Sequence, residues 1–85
     1  MPVSSRPLLE RVARVLAAAE HSRNAEGDEA SAATTVDRTW PDHLNQAQAV
    51  LHTMREPDEA MASAGDGDTW RRMVEAAIAQ RADPA

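Results

Sequence analysis

The chain of 85 residues has no cysteine, phenylalanine, tyrosine or lysine. Without cysteine, neither disulfide bonds nor thiolate catalysis is available, and a zinc site would lack its sulfur ligands. No stretch approaches the roughly 18 consecutive apolar residues that a membrane-spanning helix needs. Residues 1–6 also lack the apolar run of a signal peptide. We therefore expect no membrane partner and a cytoplasmic location, which is the host cytoplasm if the chain is phage-encoded.

The sequence also lacks the motifs of metal, phosphate or nucleophilic chemistry. The histidines, which do not have the i,i+4 spacing of a helical zinc pair, are His21, His43 and His52. The Asp-Gly-Asp at 66–68 resembles the start of a calcium loop, but Trp70 stands at the fifth position and Arg71 at the sixth. There is no Gly-x-Ser-x-Gly elbow and no phosphate-binding glycine loop. We predict a protein that is not an enzyme, with no catalytic residue, metal site or cofactor.

Apolar residues recur at helical spacing, and no run alternates with polar residues as a strand does. The pattern predicts an all-α domain over 1–85, a small bundle of three longer helices and one short helix. The predicted helices are 6–22, 40–55, 57–64 and 67–82. The apolar face of the first comprises Leu8, Leu9, Val12, Val15, Leu16 and Ala19. That of the last comprises Trp70, Met73, Val74, Ala77 and Ile78. The two tryptophans, Trp40 and Trp70, are expected to be the largest core residues.

The connections between these helices are predicted from their composition. Residues 24–38 contain one large apolar residue, Val36, and no periodicity, which predicts a mobile loop. Gly65 is expected to end the short helix in the left-handed conformation. Asp66 or Asp68 is expected to cap the helix that follows.

Acidic residues cluster in this same segment of a chain whose net charge is −5. Five acids occur within thirteen residues with no basic residue between them: Glu56, Asp58, Glu59, Asp66 and Asp68. One interpretation is structural, because acids near a helix N-terminus stabilise it through the helix dipole. The functional hypothesis is a phosphate-like surface that binds an Arg-rich or Lys-rich groove. We therefore predict these five as partner-binding residues.

Two alternatives remain open. The short helix, turn and helix of 57–81 could form a helix-turn-helix DNA-binding regulator, with Arg71 and Arg72 opening the recognition helix. The five acids oppose this, because they would face phosphates at close range, and we expect no direct nucleic-acid binding. The other alternative is a self-associating adaptor that dimerises through apolar surface on its first helix, so the chain is expected to be a monomer or a homodimer.

The order of several motifs resembles a family of small uncharacterised proteins from phages, prophages and alphaproteobacterial genomes. The motifs are Glu10-Arg11-Val12-Ala13-Arg14, Arg55-Glu56-Pro57, Ala64-Gly65 and Trp70-Arg71-Arg72. The resemblance covers most of the chain outside 20–38 and departs at Asp58, where the family more often has threonine. It implies a phage setting. By analogy of size and charge, it implies a non-enzymatic inhibitor of the anti-CRISPR type, which mimics DNA and blocks target DNA binding by a CRISPR effector complex.

Overall fold

The structure is a computed structural model that describes residues 3–24 and 32–80. Within these ranges it contains helices and no strand. The elements are α1 (Leu8–Asn24), α2 (Ala32–Thr39), a 3₁₀ turn (Trp40–His43), α3 (Leu44–Met54), α4 (Glu59–Ala64) and α5 (Gly67–Ala79). The prediction of an all-α small bundle is confirmed, because the three longer helices α1, α3 and α5 and the short helix α4 are all present.

Helix α2 corrects the prediction of a mobile loop over 24–38. Ala32–Thr39 forms two turns of helix that pack against α1. Arg14 of α1 holds α2 in place by donating from Nη1 to Asp37 Oδ1 at 2.8 Å. The sequence signal is weak because alanine and threonine, rather than large apolar residues, fill this helix. The rest of the predicted loop, 25–31, lies outside the described residues.

Proline positions explain where the helices begin. Pro7 precedes α1, and its carbonyl accepts the Arg11 N–H at 3.1 Å, so α1 begins two residues after the predicted start. Trp40 opens a 3₁₀ turn rather than an α-helix, with Pro41, which has no N–H to donate, in its first turn. Pro57 lies just before α4, because Asp58 is the N-cap. Residues 81–82 of the last predicted helix lie outside the described residues.

Gly65 ends α4 without the left-handed backbone that the sequence predicts. Its φ of −162° and ψ of −159° are extended, a conformation that other residues also adopt. The Gly65 N–H donates to the Met61 carbonyl at 3.1 Å and closes the last turn of the helix. Asp66, the N-cap of α5, is also extended, so two extended residues separate α4 from α5.

The core lies where α1, α3 and α5 meet. Its buried residues are Leu9, Ala13, Ala47, Leu51, Val74 and Ala77. Ala13 and Ala47 are completely buried, and their small side chains let the helices approach closely. Contrary to the prediction, the tryptophans are only half-buried and pack at the edge of this core. None of the helices in the described ranges has the length and apolar character needed to cross a bilayer.

Three members of the predicted apolar faces are exposed instead of buried: Val15 and Ala19 of α1 and Met73 of α5. Val15 of α1 is 67% exposed and Met73 of α5 is 65% exposed. On α1 the buried stripe runs through Leu9, Ala13 and Ala17 instead, so alanines form the contact surface and Val15 faces solvent. The bundle therefore leaves apolar side chains on its surface at two separate places.

Candidate functional site

The five predicted partner-binding acids lie on the segment that runs from the end of α3, through α4, into the first turn of α5. All five are exposed. The structure divides them by role, since two serve as helix caps and three do not. The structural interpretation therefore applies directly to the two capping acids, and partner binding by the other three stays a prediction.

Asp58 and Asp66 are the N-caps of α4 and α5. Asp58 Oδ1 accepts the Met61 N–H at 2.9 Å. Asp66 Oδ1 accepts the N–H groups of Asp68 and Thr69 at 3.0 and 3.4 Å, and its Oδ2 accepts the Thr69 hydroxyl at 3.1 Å. These hydrogen bonds, foremost those from Thr69, lower the pKa of Asp66 because they stabilise the ionised carboxylate. Capping therefore accounts for two of the five acids. The sequence offers Asp66 or Asp68 as the cap of α5, and the structure assigns that role to Asp66.

Glu56, Glu59 and Asp68 make no side-chain hydrogen bond or ion pair with another described residue. Glu59 and Asp68 stand in the first turns of α4 and α5, where the helix dipole favours a negative charge. The nearest arginine along the chain, Arg55, reaches toward Glu75 instead, at 3.9 Å. Three carboxylates consequently remain open to a ligand from solvent.

An apolar depression of about 400 Å³ lies beside these acids, between α4 and α5. Pro57, Met61, Trp70 and Met73 supply much of its lining, and Asp66 lies at its edge. The indole of Trp70 is held by a hydrogen bond of 2.7 Å, which Nε1 donates to the carbonyl of Met54 at the end of α3. The same indole therefore forms a fixed wall of the depression and ties α5 to α3.

A second depression, of about 320 Å³, continues along α5. It shares Trp70 and Met73 with the first depression, and Leu8 and Arg11 of α1 and Gln80 also line it. Neither depression is foreseen from the sequence, where Trp70 and Met73 belong to a stripe that is expected to be buried. The exposure of Met73 depends on where α1 stops covering α5, and that is a property of the tertiary packing.

A polar pocket of about 470 Å³ lies on another part of the bundle, between α1, α2 and the 3₁₀ turn. His43 is buried there, with Nε2 2.6 Å from Glu20 Oε1 and Nδ1 3.2 Å from the Thr39 carbonyl oxygen. Both partners are acceptors when Glu20 is ionised, so this geometry favours the protonated ring, in which both nitrogens carry a hydrogen to donate. The hydrogen bond to Glu20 is the main reason that the pKa of His43 is raised.

The sequence gives no sign of this arrangement, because Glu20 and His43 are 23 residues apart and belong to no motif. The neighbouring His21 also lines the pocket, and its Nε2 is buried without a hydrogen-bond partner among the described residues. Both nitrogens of His43 are already engaged, which leaves it no lone pair for a metal ion. In the described part of the chain, no group of three or more histidines and acids is arranged to hold one.

Comparison of the chain with protein families, with curated proteins and with solved structures gave no match. The resemblance to a phage-borne family therefore stays a prediction from the sequence motifs. The function has to be argued from the acidic segment and the surface around it.

Proposed function

We propose that this chain is a non-enzymatic inhibitor of the phage type, which binds a basic surface of a host defence complex through its acidic segment. The observation that supports it is the division of the five acids. Glu56, Glu59 and Asp68 are exposed and engage no described cation, although capping needs only the other two. These three exposed carboxylates have no described counter-ion and are available for a cationic partner.

A CRISPR effector complex is the partner that we favour. Such a complex holds its nucleic acids in a positively charged channel and reaches them through the phosphate backbone. A row of exposed carboxylates presents similar charge to the same arginines and lysines, so bound inhibitor would exclude target DNA. The net charge of −5 also makes the chain itself a poor ligand for nucleic acid.

The test is recovery of a host CRISPR complex on the tagged protein at low and at high salt. We expect recovery at low salt and loss at high salt, because contacts between exposed charges are screened. The triple variant Glu56→Gln, Glu59→Gln, Asp68→Asn should lose the complex while both helix caps remain. A control that neutralises exposed acids elsewhere, Asp42→Asn with Glu75→Gln, should retain it.

Equal recovery by the triple variant and the wild type would refute the electrostatic proposal. Circular dichroism of each variant establishes that the fold is unchanged, which is expected because none of the three side chains has a described hydrogen-bond partner.

A self-associating adaptor is the second candidate, and the exposure of Val15 on α1 favours it. An apolar side chain that is 67% exposed on the longest helix offers a contact for a second copy. Sedimentation equilibrium over increasing protein concentration tests this candidate. A dimer that is lost in Val15→Ser would support it, and a monomer at all concentrations would dismiss it.

A further inference from the structure

We infer that the two depressions flanking Trp70 and Met73 form a docking groove for an amphipathic helix of the partner protein, with arginine or lysine beside its apolar stripe. This inference rests on the proposed function, because it assigns the same partner a second mode of contact. It adds two points to the electrostatic proposal: an apolar contact site on this protein, and a helical conformation for the segment of the partner that binds there.

The apolar character of the groove comes from side chains that the fold leaves uncovered. Met73 is 65% exposed and Met61 is 39% exposed, and they face the same depression from α5 and α4. Methionine is unbranched and polarisable, so it adapts to the shape of an incoming side chain. Trp70, which is half-buried and fixed by its hydrogen bond to the Met54 carbonyl, supplies a rigid surface between them.

The shape of the groove favours a helix as its occupant. The two depressions, of about 400 and 320 Å³, share the Trp70 and Met73 walls and follow each other along α5. An amphipathic helix presents large apolar side chains at i and i+4, roughly 5–6 Å apart, and inserts such anchors into adjacent pockets. An extended peptide has no sheet edge to join in residues 3–24 and 32–80, since these ranges contain no strand.

The charge beside the first depression favours a basic partner over a second copy of this chain. Asp66 lies at the edge of the first depression, and the uncapped acids Glu59 and Asp68 stand in the first turns of the two helices that enclose it. Arg11 is the charged residue in the lining of the second depression. A second copy would bring the same acids and a further net charge of −5, whereas arginines beside an apolar stripe would meet unpaired carboxylates.

The probe is a dye-labelled 18-residue helical peptide of leucine and arginine with one apolar face, titrated with the protein and followed by fluorescence anisotropy. The comparison peptide has the same composition in an order that gives no apolar face. We expect the amphipathic peptide to bind at least about tenfold more tightly, because only it can place leucines in both depressions. Equal binding of the two peptides would overturn the inference.

The protein variants locate the contact. Met61→Ser with Met73→Ser should weaken binding of the amphipathic peptide about tenfold or more, since both side chains are surface-exposed anchors. Val15→Ser is the matched control, because Val15 is as exposed as Met73 and lines neither depression. The control should bind like the wild type.

The outcomes separate this inference from the proposed function. If the methionine variant binds normally and the variant at Glu56, Glu59 and Asp68 binds weakly, the groove is refuted and the electrostatic proposal stands. If neither variant weakens binding of the peptide, the groove is refuted, and recovery of the host complex by the triple variant decides the electrostatic proposal separately. Sedimentation equilibrium tests whether a second copy occupies the groove. If the free protein is a dimer and Met73→Ser is a monomer, the inference of a basic partner helix is refuted and the groove is a dimer interface.

Discussion

His43 is a single side chain that connects the C-terminal half of α1 to the turn that precedes α3. In its protonated form, the ring donates one N–H to Glu20 and the other to the carbonyl of Thr39. The folded protein therefore holds this proton more tightly than the unfolded chain does. The pKa of His43 is therefore raised in the folded state above its ordinary value of 6.5. Such a group stabilises the fold below that ordinary value, and the stabilisation is lost as the pH rises through the folded-state pKa.

We predict that the thermal midpoint of the protein falls as the pH is raised from about 6 to about 9. Glu20→Gln should lower the midpoint near pH 6 and reduce this dependence, because the amide cannot stabilise the charged ring. Circular dichroism melting across that range measures both effects. His52→Gln is the control, because the His52 side chain is exposed and makes no hydrogen bond or ion pair with a described residue. A dependence that is as steep in Glu20→Gln as in the wild type would contradict the assigned role.

At the scale of the helix, both capping aspartates accept backbone N–H groups of the first turn, but the helices that they cap contribute differently to the core. Every residue of α4 is exposed, whereas α5 contributes the buried Val74 and Ala77 to the core. Loss of the cap of α4 therefore disturbs a helix that shields little apolar area. Loss of the cap of α5 disturbs a helix on which the bundle depends.

We predict that Asp58→Ala destabilises α4 by about 0.5–2 kcal/mol, the usual cost of a lost N-cap, without shifting the global unfolding midpoint. Asp66→Ala should lower that midpoint. Amide hydrogen exchange of α4 reports the local effect and urea unfolding reports the global one. Equal global destabilisation by the two substitutions would show that α4 is coupled to the core more strongly than its exposure indicates.

The sequence pattern predicts the elements that carry large apolar side chains at helical spacing. It locates α1, α3 and α5, and it includes Asp66, the N-cap of α5, among its two candidates for that cap. It misses α2, whose short run of alanine and threonine has no recognisable stripe. Helical periodicity also fails to separate Val15 and Met73 from the core residues beside them, because it gives the face of a helix and not how far the neighbouring helices extend over it.

The pairing of Glu20 with His43 is beyond a sequence-based prediction for a different physical reason. The two residues are brought together only when the 3₁₀ turn docks on α1, and neither belongs to a local pattern. The same holds for the depressions around Trp70, which require three helices to be in place. The N-cap of α5 is thus within reach of the sequence pattern, whereas contacts between distant helices are not.

The whole molecule depends on one junction, where α1, α3 and α5 meet around Leu51. Among the described residues, Leu51 has the largest side chain that is completely buried. The core around it consists mainly of alanine and a few aliphatic residues, so little else can compensate for its removal.

We predict that Leu51→Ala costs about 2–5 kcal/mol, the range for removing a buried leucine and leaving a cavity. In a domain this small, that loss is a large part of the total stability. Chemical denaturation followed by far-ultraviolet circular dichroism measures it. The neighbouring Val50, which is 37% exposed, provides the comparison: Val50→Ala should cost well under half as much. If the two substitutions lower the free energy of unfolding by similar amounts, Leu51 is not the centre of the core.

The position of Trp70 has an optical consequence. Its indole is half-buried at the wall shared by the two depressions, so an occupant that displaces water from the ring should shift its emission to shorter wavelength. The other indole, Trp40, lies beneath the guanidinium of Arg14, whose central carbon is 5.4 Å from the ring centroid, and it lines neither depression. The protein therefore contains its own fluorescent reporter of docking, together with an internal reference that docking leaves unchanged.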